Sequence, residues 1–442
     1  MHKTMKTMLR VALAAVAICG FGKAYAFHSG GVAECGGCHS MHNPNLTYAT
    51  DLLIGDGPSE TCLECHGESG QSSYHVKTPT ADLGPGQAPY NETPGGDFGW
   101  LNKDYIFVVR NSTTYEMGHE FGHNVVAPAF DLDVDASNAA APGGTFASAQ
   151  LACNSCHDQH GQYRRLSTGA VVRGGYFGQA LPTAATAPIV GSGSYNNSWT
   201  PLAGQAVGVY RLLWGAGASV DGVTFSGVPL AFAPSSYNRT EVTIQTRVSY
   251  GVGAAASGYA SWGNWCATCH PDMHSSGNYV HPVDQSMSAL IPVYNAYVSS
   301  GDLSGSFTGD HTNQGPFLSL VPFVKNSGDI ATVQGLAGFA NNAARLAGPA
   351  DGDQVSCLSC HRAHATGFPW MLKWQMEGEF ITVATTLGAS GVAIWPGTDN
   401  GAPAQFARGR TEAEQRRAYY DRPATTFGIY QRVLCNKCHG KD

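Results

Sequence analysis

Charged side chains are scarce in this chain of 442 residues: Asp, Glu, Lys and Arg make up 13%, about half the usual share. Strong helix and strand character is scarce with them, because glycine takes 55 positions and interrupts regular elements. After the first 26 residues no apolar run resembles a membrane-spanning helix, which needs about 20 such residues. Basic residues are also short. With the four in the leader segment set aside, 21 Lys and Arg face 32 Asp and Glu, a formal charge of −11. That balance disfavours nucleic acid as a partner. Unassigned thiols are absent too, since twelve of the 13 cysteines fall into one repeated motif and Cys19 lies in the leader.

What the chain does have is that motif, six times over. CGGCH (35–39), CLECH (62–66), CNSCH (153–157), CATCH (266–270), CLSCH (357–361) and CNKCH (435–439) each place two cysteines three apart with histidine next. This is the c-type haem attachment signature. Two thiols add across the two vinyl groups of the haem, and the following imidazole must reach the iron. With 17 histidines in the chain, six chance successes have a probability of roughly one in several hundred million. Structural zinc uses paired cysteines without demanding histidine directly after them, and disulfides would not impose six identical units. The motifs therefore predict six haem c groups, attached through Cys35, Cys38, Cys62, Cys65, Cys153, Cys156, Cys266, Cys269, Cys357, Cys360, Cys435 and Cys438. The proximal iron ligands are His39, His66, His157, His270, His361 and His439.

Residues 1–26 read as a secretory signal peptide, with Lys3, Lys6 and Arg10 before a short apolar run and Ala24-Tyr25-Ala26 at the cleavage site. A lipid anchor on Cys19 is disfavoured by the bulky Ile18 before it. Residues 27–442 are then one continuous hexahaem body, exported through the periplasm. The predicted fold is an irregular, haem-cored multihaem cytochrome, mostly loops with short helices and a few short strands. The haems supply the apolar volume that the chain lacks. Two local elements stand out. In 240–250, Val242, Ile244, Val248 and Tyr250 alternate with Glu241, Gln245 and Arg247, which predicts a half-buried strand with the charged residues outward. Thr411 with Glu414 makes a capping box that opens a helix ending before Pro423, and a second short helix is predicted to carry Phe427, Tyr430, Val433 and Leu434.

Ten further histidines follow the leader, a surplus over the six distal positions: His28, His42, His75, His119, His123, His160, His274, His281, His311 and His364. His42, His160 and His364 stand three residues after a proximal ligand. That is too close to curl round to the far face of the same haem, but close enough to reach a neighbouring one. His274, four after His270, can act likewise. Bis-histidine iron is six-coordinate and leaves no site for a substrate. HEFGH (119–123) matches the zincin pattern, but Gly118, Gly122 and Pro128 argue against the helix that pattern needs. His123 reads better as a haem ligand. Arg164, Arg165, Arg362 and Arg432, near the motifs, are candidates to pair with haem propionates.

Beyond the motifs, FHSGGVAECGGCHSMHN (27–43), TPGGDFGW (93–100), GHNVVA (122–127), CHDQHGQYRR (156–165), YNRTEVTIQTRVSYG (237–251), CLSCHRAHATGF (357–368) and YQRVLCNKCHGKD (430–442) resemble the hexahaem outer-surface cytochromes of the OmcS type. Those cytochromes polymerise into conductive extracellular filaments of metal-respiring bacteria. The resemblance implies bis-histidine haems in one line, alternating parallel and T-shaped pairs, with His42 ligating a haem of the adjacent subunit. It implies that His123, His160 and His364 are ligands too, while His28, His75, His274 and His281 compete for the remaining places. The expected function is an electron conduit. It would be fed by other cell-envelope cytochromes and emptied to external acceptors such as iron(III) oxides. Two other readings stand beside it. A multihaem oxyanion reductase would need an open iron, often marked by a Cys-x-x-Cys-Lys motif that does not occur here. A monomeric soluble carrier would have the same haems and no assembly.

Overall fold

Six attachment motifs and frequent glycines leave little room for long elements, and among its described residues the computed structural model has none. It describes residues 35–40, 52–67, 74–174, 200–203, 206–234, 241, 246–275, 282–296, 315–338, 342–378, 380–385, 392–427 and 434–439. Among these the longest helix is Pro58–His66 and the longest strands have five residues. Most of the described residues are turn and loop, stitched by isolated bridges between distant segments such as Gly96 to Ala365 and His157 to Leu213.

The sheets are small. Tyr105–Val109 and Ser112–Glu116 form an antiparallel hairpin in which Ile106 faces Tyr115. A four-stranded sheet orders Tyr259–Ala260, Val228–Phe232, Ser249–Gly251 and Val324–Lys325. Apolar packing is divided as well. The largest cluster gathers Trp100, Tyr105, Phe121, Phe317, Trp395, Tyr419 and Phe427, and it packs against Cys360, Cys435 and Cys438 of the last two motifs. A separate cluster around Leu63, Phe98 and Val125 lies by the second motif.

The capping box forms as the sequence predicts. Thr411 N–H donates to Glu414 Oε2 at 2.9 Å, Glu414 N–H returns to Thr411 Oγ1 at 3.2 Å, and the helix runs Glu412–Ala418. The second C-terminal helix falls largely outside the described residues; Phe427 and Leu434 are buried. Of the strand expected over 240–250, the described residues show Ser249–Gly251, and 240 and 242–245 lie outside them. Its charged residues are not outward. Glu241 is 5% and Arg247 2% exposed. Arg247 donates to the Arg345 and Ala347 carbonyls at 3.0 and 3.2 Å and lies over the Phe317 and Phe323 rings. Alternation misleads here because remote partners satisfy the buried charges.

Candidate haem chain

Each attachment motif sits on a single helical turn. The second lies in Pro58–His66 and the third in Cys153–Cys156, the fourth starts in the last turn of Trp262–Ala267 and runs beyond it, and the first, fifth and sixth lie on three-residue 3-10 turns beginning at Cys35, Cys357 and Cys435. One turn is what the chemistry requires, because positions i, i+3 and i+4 share a helix face. The histidine N–H closes the turn onto the first cysteine carbonyl in the last four motifs: His157 to Cys153 at 3.0 Å, His270 to Cys266 at 3.1 Å, His361 to Cys357 at 2.9 Å and His439 to Cys435 at 2.8 Å. None of the described cysteines forms a disulfide.

Histidines from different motifs then meet in pairs. A ligating nitrogen sits about 2.0 Å from a bound transition metal, so two imidazoles holding one ion from opposite sides have ring centres about 6.3 Å apart. His39 and His160 are 6.3 Å apart with ring planes nearly parallel, at 7°. His157 and His364 are 6.4 Å apart at 59°, and His270 and His123 are 6.0 Å apart at 35°. His75 lies close enough to His66 to oppose its protonation. The rings fit an iron between them.

Their protonation fits as well. Carbonyl oxygens only accept, so each imidazole that contacts one carries its proton on Nδ1 and leaves Nε2 for metal. His66 Nδ1 donates to Tyr74 O (2.8 Å), His157 to Arg211 O (2.7 Å), His270 to Pro142 O (2.8 Å), His361 to Trp370 O (2.8 Å) and His123 to Ala363 O (2.7 Å). Burial, helped by the neighbouring His270, pushes His123 down to about 4. Burial with His157 and His123 nearby pushes His364 down to about 3. Both are neutral at pH 7, the form that ligates. His364 packs on Phe98 at 4.7 Å, and a side chain on Gly95 would come within 2.9 Å of its Nδ1, so glycine is required there.

The motifs follow one another in space as in sequence. Cys62 lies beside Cys153, and Cys266 beside Cys357. Between these contacts lie looser neighbours: Cys38 with Cys62, Cys156 with Cys269 and Cys360 with Cys438. Successive motifs are thus neighbours in space, closest at the second–third and fourth–fifth junctions.

No family model matches the chain. Its sequence is 43% identical to the C-type cytochrome OmcS of Geobacter sulfurreducens, over the full length of both. A cryo-EM structure of OmcS nanowires and a structure of the outer membrane cytochrome S filament, both from that organism, match its fold. Each does so with a TM-score of 0.77 at 41% identity, covering 94% of this chain and all of theirs. The chain belongs to the OmcS family of c-type cytochromes.

Within this OmcS-type chain the other predicted residues sit as follows. His274 turns its Nε2 to Asp284 Oδ2 at 3.0 Å, and that carboxylate also accepts from Ser261 Oγ at 2.6 Å. His28, His42, His281 and His311 lie outside the described residues. In HEFGH the segment Gly118–Phe121 is a 3-10 turn, not an α-helix, and the two histidines separate. His119 Nε2 meets Ser137 Oγ at 2.7 Å, while the His123 ring faces that of His270. Of the arginines, Arg362 pairs with Glu241 at 3.1 Å, Arg164 Nε donates to Gly161 O, Arg165 lies over Phe232, and Arg432 is outside the described residues. Sequence reasoning missed the carbonyl acceptors behind the ligands. They are main-chain groups and carry no residue signature. No described helix is long and apolar enough to cross a membrane.

Proposed function

We propose that residues 27–442 form one hexahaem body, exported through the periplasm to the outer surface, that carries respiratory electrons outward as a polymerised filament. The protein is an electron-transfer protein and catalyses no bond chemistry of its own. When bound, each haem c would supply a one-electron iron(III)/iron(II) couple, held by the two cysteines of its motif and by imidazoles of the chain. The chain's part is to hold six such groups in file, fill their axial positions and shield them. Other cell-envelope cytochromes are the donors, and extracellular metal oxides or similar acceptors receive the electrons.

In this reading His160, His75, His364 and His123 are the distal partners of His39, His66, His157 and His270. The observation that carries the filament is a recurring step. His160, three residues after the third motif's ligand, stands opposite His39 of the first motif. His364, three after the fifth motif's ligand, stands opposite His157 of the third. The same step taken from the first motif carries His42 to His361 of an adjacent subunit, so that copies are joined through iron. His28 and His281 then remain for His439.

The test is low-temperature EPR of the oxidised, secreted protein, with sedimentation recorded on the same sample. Only low-spin signals on material that pellets as polymer are expected. A substantial high-spin signal that moves with nitrite or sulfite would sink the conduit reading in favour of a reductase.

A further inference from the structure

One backbone device holds the first, third and fifth motifs alike. In the first, Ser40 N–H donates to Leu52 O at 2.6 Å and Ile54 N–H to Cys38 O at 3.0 Å, with His39 bridged to Leu53. In the third, Asp158 N–H donates to Leu212 O at 2.6 Å and Trp214 N–H to Cys156 O at 3.2 Å, with His157 bridged to Leu213. In the fifth, Arg362 N–H donates to Met371 O at 3.0 Å and Lys373 N–H to Cys360 O at 2.9 Å, with His361 bridged to Leu372. The residue that accepts from the position after the ligand is left-handed each time: Leu52 at φ 54°, Leu212 at 54° and Met371 at 60°. The residues before two of them, Arg211 at 50° and Trp370 at 56°, are left-handed as well. Large side chains rarely adopt that region, and its recurrence at one register marks a constraint.

The constraint has a visible product. The carbonyls of Arg211 and Trp370 are the acceptors for Nδ1 of His157 and His361. A right-handed or extended residue at either place would turn its carbonyl elsewhere. The three motifs with the device are also the three followed by a second histidine at the same spacing, in CHSMH, CHDQH and CHRAH.

We infer that the left-handed pairs Arg211-Leu212 and Trp370-Met371 are positioning residues for His157 and His361, setting ring plane and donor strength through a main-chain carbonyl. This rests on the reading of those histidines as iron ligands. A hydrogen-bonded imidazole is the more basic ligand and favours iron(III), so the device lowers the potential of the haems that it serves.

Trp370 is the place to test it, because its side chain is 53% exposed. Trp370→Gly and Trp370→Pro both delete that side chain. Glycine adopts positive φ freely, whereas proline is locked near −65°. The secreted protein of each variant is assayed for haem content and titrated potentiometrically, with EPR resolving the low-spin signals. The glycine variant should retain the wild-type spectrum. The proline variant should keep six haems but shift one low-spin signal and raise its potential. Equal shifts in both variants, or none in the proline variant, would overturn the inference. Should the proline variant fail to assemble, Trp370→Ile keeps the N–H while resisting positive φ, and it must shift the same signal in the same direction or the inference falls. High-spin iron at this site in the unmodified protein would instead undo the ligand assignment itself.

Discussion

Removing the imidazole of His160 is expected to open the first haem site, since that ring stands 6.3 Å from His39 with room for one iron between them. His160→Ala should therefore yield a high-spin EPR signal amounting to about one haem in six, with haem content unchanged. His274→Ala should leave every signal low-spin, because its Nε2 is engaged with Asp284. The two variants separate ligands from bystanders that look alike in sequence, each lying three or four residues after a proximal ligand. Their difference comes from what surrounds them. Asp284, ten positions on, captures His274, whereas the segment after His157 delivers His160 to a motif more than a hundred residues earlier.

At the scale of elements, buried charge does what long helices and sheets do elsewhere. Arg362 donates to Glu241 through both terminal nitrogens, at 3.2 and 3.1 Å, and Arg422 adds a contact at 3.0 Å. This ties the segment before Thr246 to the fifth motif and to the turn after the C-terminal helix. All three side chains are 5% exposed or less. Glu241→Leu strands two guanidinium groups in the interior and should cost about 3–5 kcal/mol, read as a lowered midpoint in thermal or denaturant unfolding. Burial alone would raise the Glu241 carboxyl, but Arg362, Arg422 and Lys373 together more than offset this and hold it below the ordinary range. A depressed carboxylate contributes stability that is complete above its unfolded pKa and is lost as pH falls through the folded one. Unfolding midpoints followed from pH 7 downwards should therefore fall less steeply in Glu241→Gln than in the wild type. The capping box at Thr411 was legible because it is local. This cluster was not, since Glu241 belongs to an alternating stretch whose period suggested a solvent-facing side.

For the whole molecule, the expected assembly is end to end through iron. His42→Ala should secrete with all six haems yet fail to pellet as polymer, and analytical ultracentrifugation with a haem assay decides it. Polymer formation by that variant would move the junction elsewhere on the surface. The solved structures that this chain's fold matches are themselves filaments, and in this chain successive motifs adjoin one another.

The sequence by itself determined the cofactor and its number, because the attachment signature is carried within five consecutive residues. It also determined the irregular fold class, through few charges and many glycines. Only the tertiary structure decided which histidine faces which. His364 meets His157 across more than two hundred residues, and the choice depends on where loops return, how Gly95 lets the chain approach and which carbonyl is free to take the Nδ1 proton. Those are properties of packed backbone, and no residue type encodes them at fixed spacing.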